Sequence, residues 1–165
     1  MKFIVLDTNV YGWALDGSRG VKKHSAINSL SLVQKFTEDK DGKKRQFEIF
    51  SCKDIKKETR KAKEPDLERL HDSLVSGLIS FTPEIESLAE EYYKTCKERG
   101  IVGIQKSDCR IIASVTFAGI KFFVTENRKT IIKDDVLSVL EKVNKKGKLK
   151  TPSIITSNDA LKILF

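Results

Sequence analysis

Histidine, cysteine and proline are all scarce in this chain of 165 residues. The three cysteines, Cys52, Cys96 and Cys109, form no CxxC pair and lie far from His24 and His71, so no zinc finger or ribbon is expected. Scattered and odd in number, they also do not suggest a disulfide scaffold; they read as reduced, mostly buried thiols of a cytoplasmic protein. No apolar run approaches the roughly 20 residues a membrane-spanning helix requires. Asp7 breaks the N-terminal apolar stretch too early for a signal peptide. Glycine-rich phosphate loops of the GxGxxG or GxxxxGK[ST] kind are missing too, which removes the common nucleotide-binding readings. No internal repeat, low-complexity tail or linker divides the chain, so one domain over residues 1–165 is expected.

What is abundant is positive charge. Lysine and arginine number 31 against 23 acids, a formal net charge of +8. That balance favours polyanionic partners, with nucleic acid ahead of an anionic membrane.

Short apolar runs punctuate the charge: FIVL (3–6), FEIF (47–50), GLISF (77–81), KFFVT (121–125) and SIIT (153–156). Helical patterns separate them, and strands alternating with helices predict an α/β fold whose central sheet is mainly parallel, with four or five strands and helices on both faces. Residues 23–37 form a helix by the spacing of Ile27, Leu30, Val33 and Phe36, followed by a charged loop at 38–45. Short helices are expected at 54–63 and 66–75. Thr82 is a predicted N-cap with Pro83 at the first helical position. Ser107 is a predicted N-cap for 108–118, with Gly119 as its stop; further helices follow at 134–146 and after Ser157.

In a parallel sheet, chemistry collects at the carboxyl ends of strands. Asp7 directly follows the first strand, although capping the next helix would account for it equally well. Asp108 shares a helical face with Ile111, Ile112 and Val115, which puts a carboxylate at the top of a buried stripe. Glu58 lies one helical turn beyond the second strand, on the side of Ile55 and Ala62, within a stretch that by itself looks like a solvated charged face. The VTEN break at 124–127 closes the fourth strand with Thr125, Glu126 and Asn127. Acids gathered on one rim repel unless a cation is present. Mg2+ or Mn2+ favours such oxygen ligands. A basic protein with that rim points to phosphodiester chemistry.

The stretches IVLDTNV (4–10), IFSCKDIKKE ending at Glu58, SDCRIIAS, GIKFFVTEN and SIITSNDALKIL together resemble, in order and spacing over nearly the whole chain, the PIN (PilT N-terminus-like) domain family of metal-dependent nucleases. The resemblance implies a three-layer α/β/α sandwich and an endoribonuclease of single-stranded RNA. Asp7, Glu58 and Asp108 match the acidic metal-site positions, and Asn9 and Thr125 the polar positions that support them. Asn127 stands where the family often has an acid; it offers an oxygen ligand without charge. Small members are toxins that form homodimers and are blocked by an antitoxin protein, whereas members with damaged sites act as RNA-binding or assembly modules. A haloacid-dehalogenase phosphatase also begins with a strand ending in Asp, but it wants a second Asp where this chain has Asn9. Arg60, Lys61 and Arg128, beside the acidic rim, are the candidate RNA contacts. Tyr11 and Trp13 are candidates to line the pocket or stack a base, with Trp13 read rather as core.

Overall fold

Every one of those apolar runs becomes a strand of a single sheet. The computed structural model describes all 165 residues. Its strands are β1 (Lys2–Leu6), β2 (Phe47–Cys52), β3 (Val75–Ile79), β4 (Phe122–Val124) and β5 (Ser153–Ile155). Its helices are α1 (Thr8–Ser18), α2 (His24–Asp41), α3 (Lys53–Lys61), α4 (Pro65–Leu74), α5 (Pro83–Glu98), α6 (Lys106–Phe117), α7 (Asp134–Lys146) and α8 (Ser157–Leu164). All strand pairs are parallel, in the order β3-β2-β1-β4-β5.

The central place of β1 explains why its side chains are apolar on both faces. Ile4 and Leu6 enter one core, built with α1, α2, α4 and α8. Val5 enters the other, built chiefly with α5, α6 and α7. A strand covered on both sides cannot alternate with polar residues without burying them. The result is the expected three layers. The chain first winds outward from β1 to β2 and β3, then returns to place β4 on the opposite side of β1. The order therefore reverses between β1 and β4, and a crevice opens there at the carboxyl ends of the strands.

Several local expectations need correction. Helix α2 runs on to Asp41, so the first half of the supposed charged loop at 38–45 is helical. Ile27 is not on its buried face but is 48% exposed; Ala26 and Ser29 face inward instead. Close packing is the reason, because a Cβ on Gly17 of α1 would stand only 2.6 Å from the Ala26 carbonyl oxygen. Ser107 lies inside α6, whose N-cap is Gln105. The third strand sits at 75–79 rather than 77–81, which leaves Phe81 outside the sheet. Thr82, Pro83 and the helix at 134–146 fall where expected. On the α5–α6–α7 side, the buried Tyr92 hydroxyl donates its one proton to Asn144 Oδ1 and lies 3.2 Å from the Thr116 hydroxyl, tying three helices together through one satisfied polar group.

Candidate active site

Asp7 and Thr125 end the two strands that flank the crevice, and they meet across it. The Thr125 hydroxyl donates to Oδ2 of Asp7 at 2.6 Å, linking residues 118 apart in the chain. The same hydroxyl accepts from the Asn9 side-chain amide at 3.2 Å and from the Asn127 backbone N–H at 3.1 Å. Asn9 also donates to Asp7 Oδ2 at 2.9 Å, while its oxygen accepts the Glu126 backbone N–H at 2.9 Å. Only one orientation of that amide satisfies all its partners, with nitrogen toward the carboxylate. Asp7 is also the N-cap of α1, accepting the Thr8 N–H at 2.8 Å. One side chain therefore caps α1 and also meets the end of β4 across the crevice.

The second acid is held by a residue that no sequence pattern singles out. The Thr8 hydroxyl donates to Oε2 of Glu58 at 2.7 Å, so neighbours in the chain orient the first and second acids. Asp108, in the first turn of α6, accepts the Gln105 N–H on Oδ2 at 2.9 Å. Burial, eased by the Thr125 hydrogen bond and reinforced by the charges of Glu58 and Asp108, pushes the Asp7 carboxyl up to about 7. Burial likewise raises Glu58, opposed by the Thr8 hydrogen bond and reinforced by Asp108, and it raises Asp108. Glu58 Oε1 and Asp108 Oδ1 accept no hydrogen bond within the chain.

As they stand, no three histidine, cysteine, aspartate or glutamate side chains converge closely enough to cage a metal ion. Each acid is drawn toward its own neighbour: Asp7 to Thr125 and Asn9, Glu58 to Thr8, Asp108 to Gln105. The donors nevertheless suit a hard divalent cation in kind, because Glu58 and Asp108 raise the proton affinity of Asp7, and Asp108 that of Glu58, a strain that a positive ion between them relieves.

The fourth strand end is arranged differently from a ring of ligands. Oδ1 of Asn127 accepts the Thr130 N–H at 3.2 Å, and the Asn127 carbonyl accepts from Ile131 and Ile132, so this residue builds a turn. Glu126 turns its almost fully buried side chain away from the rim. Its carboxylate accepts the Ser157 N–H at 2.8 Å, at the N-terminus of α8, and the Ser25 hydroxyl at 3.1 Å. A helix N-terminus offers free N–H groups and positive potential, which accounts for an acid buried there.

Asp54 and Arg110 belong to none of the expected site positions. Arg110 Nε donates to Asp54 Oδ1 at 2.9 Å, joining α3 to α6 beside Glu58. The signal was available in the spacing, since Asp54 precedes Glu58 by one helical turn and Arg110 follows Asp108 by two residues. Arg60 pairs with Glu68 at 3.2 Å, Arg128 lies 3.8 Å from Glu126, and Lys61 is exposed and unpaired. Tyr11 is fully buried against His71 and stacks no base, while Trp13 is half-buried with Lys23 over its ring.

No protein-family model and no curated protein matches this sequence. Among solved structures, a chain of VapBC2 from Rickettsia felis, determined bound to a DNA fragment from their promoter, has a similar fold. The TM-score is 0.54 over 93% of this chain and 98% of that one, at 15% sequence identity. The likeness is one of fold. It agrees with the three-layer architecture around an all-parallel sheet. No helix of the chain is long and apolar enough to cross a membrane.

Proposed function

We propose that the protein is a Mg2+- or Mn2+-dependent endoribonuclease acting on single-stranded RNA. The observation that carries this reading is the buried Asp7 at the switch point of a parallel sheet, pinned by Thr125 and Asn9 within reach of the charges of Glu58 and Asp108. The ordered resemblance to PIN nucleases and the fold shared with a chain of VapBC2 support it.

Asp7, Glu58 and Asp108 would hold the ion. When bound, it supplies a Lewis acid that generates the nucleophile from water and stabilises the departing oxygen. Thr125 and Asn9 donate to Asp7, which favours its ionised form and fixes its rotamer. The Thr8 hydroxyl does the same for Glu58, and the Gln105 N–H for Asp108. Asn127 remains a turn residue in this scheme and adds at most a neutral oxygen. A protein partner that blocks the pocket as an antitoxin belongs to the same reading, as does a homodimer.

The test compares wild type with Asp7→Asn on unstructured and structured RNA, with and without Mn2+. Cleavage of the unstructured RNA by wild type alone, and only with metal, is expected. Cleavage by the variant at the wild-type rate would sink the proposal.

The placement of Asn127 favours a second reading, a non-catalytic RNA-binding or assembly module, because the fourth strand end closes a turn instead of supplying an acid. That reading expects salt-sensitive binding that EDTA does not change, and no cleavage after long incubation.

A further inference from the structure

Beyond the acidic rim, three adjoining concavities run along α3, α6 and α5. The first is lined by Lys53, Lys56, Lys57 and Arg60, with Leu78 and Ile79. The second shares Lys53 and Lys57 and continues to Asp54, Phe81, Glu86 and Arg110. The third shares Glu86 and Arg110 and ends at Glu90, Tyr93 and Lys106. Together they form one groove, and it lies beside the acid site, because the charges of its Asp54 and Arg110 both act on Glu58.

The two walls differ in chemistry. The α3–α6 wall carries Lys53, Lys57, Lys106 and Arg110, and none of these three lysines has an acidic partner within ion-pair distance. Arg110 uses only Nε on Asp54, which leaves its two terminal nitrogens free. Aligned, unpaired cations repel one another and are relieved by a polyanion. The opposite wall, α5 and the residues leading into it, carries two aromatic rings and two carboxylates: Phe81 (40% exposed), Tyr93, Glu86 and Glu90. Lys53 stands 5.9 Å from the Phe81 ring centre and Lys106 5.4 Å from that of Tyr93. Each such pair offers what one nucleotide needs, a charge for its phosphate and a π-face for its base.

We infer that this groove is the track of a single strand of nucleic acid, with phosphates along the α3–α6 wall and bases turned to the α5 wall. Phe81 and Tyr93 stack bases, and Glu86 and Glu90 accept hydrogen bonds from exocyclic amino groups. A duplex, which presents phosphates on both its edges, would set one backbone against the two carboxylates. An acidic peptide would meet the same lysines but gain nothing specific from the rings. The track relies on the nuclease reading only for where the strand leads; binding itself needs no cleavage.

The experiment is fluorescence anisotropy with labelled 12-nucleotide RNAs in EDTA, where no hydrolysis occurs. The triple variant Lys53→Gln/Lys57→Gln/Lys106→Gln removes exposed charges and is expected to bind at least tenfold more weakly. Its slope of log K against log salt is expected to fall by about 2, at roughly 0.7 for each phosphate that is no longer neutralised. A control triple, Lys142→Gln/Lys145→Gln/Lys146→Gln on α7, removes equal charge away from the groove and is expected to lose little. Phe81→Ala is expected to weaken binding about tenfold with an unchanged slope. Oligo(C) is expected to bind more tightly than oligo(U), which lacks the amino group. Equal losses in the two triples, equal binding of duplex and single strand, or competition by an acidic peptide that Phe81→Ala does not affect would each overturn the track. Metal-dependent cleavage with undiminished binding by the groove triple would discard the track and keep the nuclease. Lost binding by that triple without cleavage by wild type would do the reverse.

Discussion

Asp7 is the buried carboxylate of the crevice, and its burial has a measurable consequence. Its carboxyl titrates near 7 in the folded chain against 3.8 for an unperturbed aspartate. Between those values the folded protein keeps a proton that the unfolded chain has lost, so the contribution of Asp7 to stability falls as pH rises through that window. At about 1.4 kcal/mol per pH unit, the loss from pH 4 to pH 8 is on the order of 4 kcal/mol. Asp7→Asn carries no such titration. In EDTA, the variant should therefore gain on wild type by an amount of that order as pH rises, measured by urea unfolding at unit steps from pH 4 to 8. Parallel profiles for the two proteins would show that Asp7 is not the buried titrating group. At this scale the sequence was half legible. The run FIVLD announced Asp7, and the polar break VTEN announced Thr125. Thr8 gave no sign, because its hydroxyl partner lies 50 residues away and nothing in the local pattern points to Glu58. Glu126 was unreadable for a similar reason: its carboxylate is claimed by the N-terminus of a helix that begins 31 residues later.

Helices α1 and α2 show how closely elements approach when small residues allow it. Gly17 faces the backbone of α2 at Ala26, leaving no room for even a methyl group. Gly17→Ala keeps a residue with better helix propensity, which by itself would stabilise by up to about 1 kcal/mol. The 2.6 Å approach to a backbone oxygen is not relieved by turning a side chain, and the helices must separate. Overpacking of this kind costs about 1–3 kcal/mol, so net destabilisation is expected, read as a lower denaturation midpoint at unchanged m-value. A rise in the midpoint would mean that the helices part freely. Element boundaries were legible where a local signal fixed them, as at Thr82 and Pro83. They were displaced where tertiary packing decided. Ile27 has the helical spacing of a core residue, yet the small Ala26 and Ser29 take the buried side because they let α1 and α8 come close.

The whole molecule is organised around β1, whose partners are the next strand, β2, and the distant β4. Both cores line this one sheet, so loss of the sheet should remove both together. Far-UV circular dichroism and Trp13 fluorescence are expected to report one coincident unfolding transition. Two separated transitions would divide the chain into independent units. Fold class was the most legible property, because alternating apolar runs and helical patterns leave few architectures open. Strand order was not, since the lateral choice of neighbours leaves no trace in any single strand. The hydrogen bonds across the switch point carry a last consequence, for synthesis. Asp7 emerges from the ribosome early, but its Thr125 partner comes 118 residues later. The Thr125 N–H in turn bonds Ile155, and Glu126 waits for Ser157. The contacts that hold the crevice therefore close only once β5 and the first turn of α8 have been made.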